Sequence, residues 1–133
     1  MITVSTDKSK LDISFIHNFL KHTYWAKNIT IEVVQISIKN SLSFGIYLND
    51  KQVGFARVIT DLVSIAYLTD VFIVEKHQGK NYSSILMNAI MTEPQLQGIK
   101  IWGLATIDAH FLYQKFGFTA VENPKKLMEK IIK

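Results

Sequence analysis

The sequence predicts a mixed α/β fold, one sheet flanked by helices, and three observations carry that prediction. Apolar residues recur at period two in some stretches and at helical spacing in others. The two kinds of stretch interleave in the order strand, helix, helix, three strands, helix, strand, helix, two strands. No repeat, low-complexity tract or linker divides the 133 residues, so one domain spanning 1–133 is expected.

Each element has its own warrant. Residues 2–6 alternate apolar and polar side chains and read as a short strand. From Asp12 to His22, Ile13, Ile16, Phe19 and Leu20 fall at helical spacing. Tyr24 to Asn28 reads as a loop holding two large aromatics. Thr30 to Asn40 is ambiguous: its β-branched residues favour strand, yet Ile31, Val34 and Ile38 share a helical face that Thr30 could cap. Phe44–Leu48 and Val53–Ile59 flank the polar stretch 49–52, which has hairpin length. Ile65 to Glu75 is the longest β-like stretch. Helical spacing of Tyr82, Ile85, Leu86, Ala89 and Ile90 follows Gly79 and stops at Pro94. Ile99–Ala105 reads as a strand and Asp108–Phe116 as a short helix stopped by Gly117. Phe118–Glu122 and Leu127–Ile132 read as two final strands.

Composition narrows the function. Cysteine is absent, which removes disulfides, thiolate metal sites and cysteine nucleophiles together. The four histidines match no metal spacing, so no metal is expected; His17 and His22, five apart, do not share a helical face. The net charge of +4 comes from fourteen lysines and one arginine, Arg57. The lysines are scattered, with a mild cluster at Lys125, Lys126, Lys130 and Lys133, which disfavours a nucleic-acid partner. A modest positive field still helps recruit a small polyanion. No apolar run approaches the roughly 20 residues needed to span a bilayer. Nor does a charged stretch and apolar run open the sequence as in a secretory signal. A cytoplasmic location and no membrane partner are the expectations.

Two segments carry chemistry. The first runs from Asp70 through Phe72, Ile73 and Val74 into the polar turn Gln78-Gly79-Lys80-Asn81-Tyr82-Ser83. A strand that turns directly into a helix leaves backbone N–H groups unpaired and converging, which suits a phosphate. The second, Ala109-His110-Phe111-Leu112-Tyr113-Gln114-Lys115-Phe116-Gly117-Phe118, sets a phenol on a helix that ends at glycine. A phosphate cradle beside a positioned proton donor is the minimum equipment for acyl transfer from a nucleotide-bearing thioester.

Over nearly its whole length the chain resembles the GCN5-related N-acetyltransferases (GNAT). In that family a strand ends in valine before Gln/Arg-x-x-Gly-x-Gly/Ala; Val74 and Gln78 fit, Gly79 matches a common glycine, and Asn81 and Ser83 replace the two small residues. The later pattern is met by Ala109, Tyr113, Lys115, Gly117 and Phe118, with Thr106 where many members have asparagine. The resemblance implies a mostly antiparallel sheet with a splayed central strand pair, and helix for Thr30–Asn40.

It also implies acetyl-coenzyme A as donor and a primary amine, on a small molecule or a peptide, as acceptor. Phe72, Ile73 and Val74 would then offer backbone groups to the pantetheine arm, and Gln78, Gly79, Lys80, Asn81, Tyr82 and Ser83 would hold the pyrophosphate, with Thr106 nearby. Tyr113 is the candidate general acid, against a simpler role of hydrogen-bonding the cofactor sulfur. Asp70 shares a strand face with Phe72 and Val74 and is either a base or a turn-binding carboxylate. Glu32 is a weaker base candidate. Tyr24, Trp25 and His110 are candidates for the acceptor pocket, or for capping the core. Asparagine tolerates φ > 0 best among non-glycine residues, so Asn81 is expected to preserve the cradle. The alternative function is a non-catalytic acyl-coenzyme A sensor, motivated by Asn81 and Ser83. A third, transfer to charged tRNA, would call for a basic stripe. Either a monomer or a homodimer is compatible with the sequence.

Overall fold

In the computed structural model, which describes residues 1–133, five strands form one sheet in chain order. They are β1 (Ile2–Ser5), β2 (Leu42–Leu48), β3 (Lys51–Thr60), β4 (Ile65–Ile73) and β5 (Ile101–Gly103). β1 to β4 pair antiparallel, and β5 joins β4 in parallel. The helices are α1 (Ile13–Leu20), α2 (Ile31–Lys39), α3 (Tyr82–Thr92) and α4 (His110–Gln114).

Local chemistry explains the boundaries. Asp12 accepts the Phe15 N–H at 3.0 Å and starts α1. Thr30 accepts the Val33 N–H at 3.3 Å and starts α2, so the ambiguous stretch is a helix. There Val34 and Ile38 are fully or nearly buried, and their packing outweighs β-branched propensity. β2 turns into β3 through Asn49 and Asp50, both at positive φ, the two-residue turn whose twist matches the strands.

Helices pack on both faces of the sheet, leaving Ile59, Ile65 and Tyr67 exposed. α3 brings Leu86, Met87 and Ile90 against Phe44, Ile46, Val53, Ala56, Val58, Ala66 and Leu68. On the other face α1 and α2 bring Ile16, Leu20, Val34 and Ile38 against Phe55 and Phe72. Phe19 stacks on Phe72 with ring centroids 3.9 Å apart. Gly54 permits the close approach of β3 to β4; a Cβ there would lie 2.5 Å from the Phe72 carbonyl oxygen.

Two irregularities prepare the site. Phe55 faces Phe72 but Arg57 faces Thr69, so Asp70 and Val71 together oppose Ala56 in a β-bulge. Asp70 takes φ +55 there, a left-handed conformation that Asp tolerates better than most residues. Then β4–β5 pairing ends after Tyr67 and Gly103, and β4 runs on to Ile73 paired with β3 only. The two strands splay.

The two strands expected at 118–122 and 127–132 do not form in the protomer. Phe118 packs edge-on against Trp102 and Tyr113, but no ladder joins its segment to the sheet. Leu127, Met128, Ile131 and Ile132 are 64, 97, 67 and 79 % exposed. Their β propensity is real, but propensity makes a strand only where a neighbour supplies hydrogen bonds and a face to pack on. No helix is long and apolar enough to cross a membrane.

Candidate active site

The phosphate cradle begins where β4 ends. After a 3-10 turn at Glu75–His77, Gln78 folds back and donates its side-chain amide to the Ile73 carbonyl at 2.8 Å. That bond fixes the turn from behind. Gly79 follows at φ +79, with nothing within 4 Å of where a Cβ would stand, so the backbone there is open to approach. Asn81 precedes α3 at φ 67 and ψ 15, and its side chain makes no capping bond. The first backbone bond of α3 runs from Ile85 to Asn81. The N–H groups of Gly79 to Ser84 therefore find no acceptor in the chain, and those of the helix start point out of its positive end. Lys76, Lys80 and Lys51 add positive charge. Burial first, and then those three lysines, hold the His77 pKa below its ordinary value. Unpaired N–H groups and nearby lysines are the chemistry that attracts an anion.

The splay supplies the next part. Val74 donates its N–H to the Val53 carbonyl at 2.9 Å and its own carbonyl accepts from His77. In an antiparallel ladder neighbouring residues point their backbone groups to opposite edges. Ile73 thus turns its N–H toward the splay, where the Gln78 amide meets its carbonyl. Of the three residues expected to offer backbone groups to an extended cofactor arm, Ile73 keeps only its N–H free, Val74 spends its groups on Val53 and His77, and Phe72 by the same alternation faces β3 opposite Phe55.

Between the parted strands lies a cavity of about 310 Å³, lined from one side by Thr69, Asp70 and Val71, from the other by Leu104 to Ala109, and capped by Tyr24, Trp25 and Tyr113. The Tyr113 hydroxyl has no hydrogen-bond partner in the chain and borders this space. Burial, helped by the negative charge of Asp108 and by Tyr24, pushes its pKa up to about 12. The phenol is protonated at any physiological pH and has its proton to offer. Thr106 accepts the Ala109 N–H at 3.1 Å and shapes the turn into α4.

Asp70 is committed elsewhere. One carboxylate oxygen accepts from the Trp25 indole N–H at 2.8 Å, the other from Arg57 Nε at 3.0 Å. Both partners of the ion pair are largely buried. The carboxylate thus ties the loop after α1 to the bulge of β4 while it lines the cavity. Trp25 lines the cavity but is anchored through its indole, with Tyr24 edge-on at 5.1 Å and more than half exposed. Glu32 sits exposed in the first turn of α2 and does not line the cavity. His110 faces a second groove, behind α4, rather than the cavity. Sequence reasoning did not single out Arg57 as a site residue. The available signal was its being the lone arginine, on a strand beside the one carrying Asp70.

Residues 39–120 match the acetyltransferase (GNAT) domain family. A protein of Gibberella zeae assigned as an acetyltransferase is 30% identical over 136 residues, covering 84% of this chain and 75% of that protein. The crystal structure of a GNAT-assigned protein of Xanthomonas campestris superposes with a TM-score of 0.96 at 48% identity, covering 99% of this chain and 94% of that one. A GNAT family acetyltransferase of Elizabethkingia anophelis, crystallised with acetyl-CoA bound, shares the fold at a TM-score of 0.71 and 16% identity, over 91% of this chain and 78% of that one.

Proposed function

Because the chain belongs to the GNAT acetyltransferase family, we propose that it transfers the acetyl group of acetyl-CoA to a primary amine by direct attack, with Tyr113 as the proton donor. The thioester supplies an activated acyl carbon and a thiol leaving group. The observation that carries the reading is a succession along and after β4: a splay from β5 with a cavity that Tyr113 borders, then the Ile73 N–H, then six unsatisfied N–H groups from Gly79 to Ser84.

The roles follow from that succession. The N–H row and the start of α3 bind phosphate oxygens, and Lys76 and Lys80 add attraction without fixing geometry. Ile73 holds the arm of the cosubstrate in extension. Tyr113 meets the departing sulfur. With the phenol at about 12 and an ordinary thiol near 8.5, a separate proton transfer would be uphill by roughly 5 kcal/mol. The phenol therefore acts by hydrogen-bonding the sulfur as charge builds, with transfer completing only as the amine loses its own proton. Asp70 acts through Trp25 and Arg57 as a positioning residue. We further propose that the acceptor enters beside Tyr24 and Trp25, that the whole chain works as one domain, and that it acts in the cytoplasm.

Thiol release from acetyl-CoA against a panel of small amines, amino acids, polyamines and lysine peptides tests the reading. Turnover on at least one amine is expected. Tight acetyl-CoA binding with no turnover on any of them would favour the sensor alternative instead.

A further inference from the structure

The cavity beside Tyr113 is bordered by charge of one sign only. Two carboxylates, Asp70 and Asp108, line it, and no lysine, arginine or histidine does. Asp70 is neutralised from behind by Arg57. Asp108 is not. It is exposed, and its carboxylate enters no hydrogen bond or ion pair within the chain. The turn into α4 does not use it either. Thr106, not Asp108, accepts the Ala109 N–H, and Ala109 starts the helix without a side-chain cap. The Asp108 carboxylate is left to the cavity and the solvent.

Aromatic surface stands around the same opening. Tyr24, Trp25 and Tyr67 line the cavity and remain 59, 44 and 42 % exposed. Tyr24 meets Trp25 nearly at right angles, with centroids 5.1 Å apart, so the pair offers both a ring face and a ring edge. Ring faces attract a cation, and an unpaired carboxylate attracts it too. Two independent features thus select the same charge. Tyr24 and Asp108 are also near enough to Tyr113 to raise its pKa, after burial. The negative field therefore reaches the place where an acceptor nitrogen would attack.

We infer that the acceptor is an amine bearing a second cationic group, held by the rings of Tyr24, Trp25 and Tyr67 and by Asp108, with Asp108 determining specificity. The inference rests on the reading of Tyr113 and its cavity as the transfer site. One nitrogen, neutral, forms the new C–N bond as the thioester C–S bond breaks, and the proton it sheds ends on the thiol. The other nitrogen stays an ammonium throughout. An acceptor that carries a carboxylate or phosphate instead meets Asp108 with like charge and finds no basic partner on the lining. At about 310 Å³ the cavity is at the small end for ligand sites, which suits an aliphatic diamine better than a bulky acceptor.

Three acceptors test it on the full chain: diaminobutane, butylamine and γ-aminobutyrate. Their kcat/KM values should fall in that order. The acceptors differ in intrinsic reactivity, which cancels when a variant is compared with the parent on the same pair. Asp108→Asn should cut the preference for diaminobutane over butylamine by roughly two- to fivefold, the scale of one exposed charge pair, and raise γ-aminobutyrate relative to butylamine. Tyr24→Leu, which removes an exposed ring, should cut the diamine preference by roughly as much. Calorimetric titration of each acceptor, with and without coenzyme A, makes the same comparison without turnover. Diaminobutane should bind more tightly than butylamine, and Asp108→Asn should weaken it. Absence of turnover on every amine would end the acetyl-transfer reading, and the titration would then decide the charge preference of the cavity alone. Butylamine used or bound as well as diaminobutane, or a diamine preference that survives Asp108→Asn, would overturn the inference.

Discussion

At the scale of single residues, Tyr113 and Asp70 make opposite demands on an experiment. Tyr113→Phe keeps the ring against Phe118 and removes only the hydroxyl, which no other group in the chain uses. Turnover should fall about 10²-fold, the low end for an acid and the usual loss for one transition-state donor, while acetyl-CoA affinity is kept. Full turnover at saturating cosubstrate would end the assignment. The pH dependence has a definite sign. The folded pKa of Tyr113 is raised to about 12, so the phenol stays protonated through and beyond the unfolded value near 10. The profile of kcat/KM should therefore climb as the amine deprotonates and show no decline assignable to Tyr113 below pH 10. Stability linked to this group is complete below pH 10 and is lost between there and 12. Asp70→Asn, by contrast, leaves Arg57 buried without its counter-charge, which typically costs about 3 kcal/mol or more. The melting temperature should drop, and activity should fail with it. A variant that melts like the parent yet loses turnover at every pH would restore Asp70 as a base.

At the scale of elements, the turn into α3 makes the sharpest claim. Asn81 sits at φ 67 with no side-chain capping bond, so its side chain contributes tolerance of a left-handed backbone rather than a contact. Asn81→Gly should fold normally and bind coenzyme A at least as tightly. Asn81→Val should destabilise by about 1–2 kcal/mol, because a β-branched residue clashes in that conformation. Titration calorimetry and thermal melts read both; a tenfold weaker Asn81→Gly would mean the amide holds a phosphate directly. This turn was legible in the sequence because a strand, a polar turn and a helix start announce themselves by composition. The 30–40 helix was not legible without ambiguity, since its β-branched residues favour strand while Ile31, Val34 and Ile38 fall at helical spacing, and burial of Val34 and Ile38 against Phe55 and Phe72 decides. The bulge at Asp70 was hidden as well. Nothing in the local pattern says that two residues of β4 will oppose one of β3, because register is a property of the pair. For the same reason the pairing of Asp70 with Arg57 and Trp25 escaped a reading of one strand at a time. The two final strands were misread for want of a partner, not for want of propensity.

At the scale of the whole molecule, β4 pairs with β5 only up to Tyr67 and Gly103; beyond that point it has no neighbour toward β5, although Leu68, Phe72 and Ile73 stay in the core and β3 stays paired with it. The proposed cosubstrate site lies along this unpaired edge and ends at the unpaired start of α3. A cosubstrate lying there would bridge elements that otherwise touch weakly: the far half of β4, the turn at Gly79 to Ser83, and α4. Such a ligand binds the folded chain and has no site on the unfolded one, so it stabilises by mass action, about 2.7 kcal/mol at a hundred times Kd. For a chain of this length each kcal/mol moves the midpoint by roughly 3–4 °C, so the melting temperature should rise by roughly 10 °C. The same binding would bring phosphates near His77, whose pKa burial first and then the surrounding lysines depress. Its pKa should therefore move upward on binding, as the negative charge offsets Lys76, Lys80 and Lys51, and a proton NMR titration of the ring would follow it. The two readouts separate cause from coincidence. A stabilising ligand elsewhere would shift the melt and leave His77 alone, whereas one seated on the cradle must move both. No thermal shift at millimolar acetyl-CoA would count against the site itself, since the binding is proposed to rest on the unsatisfied N–H groups of Gly79 to Ser84.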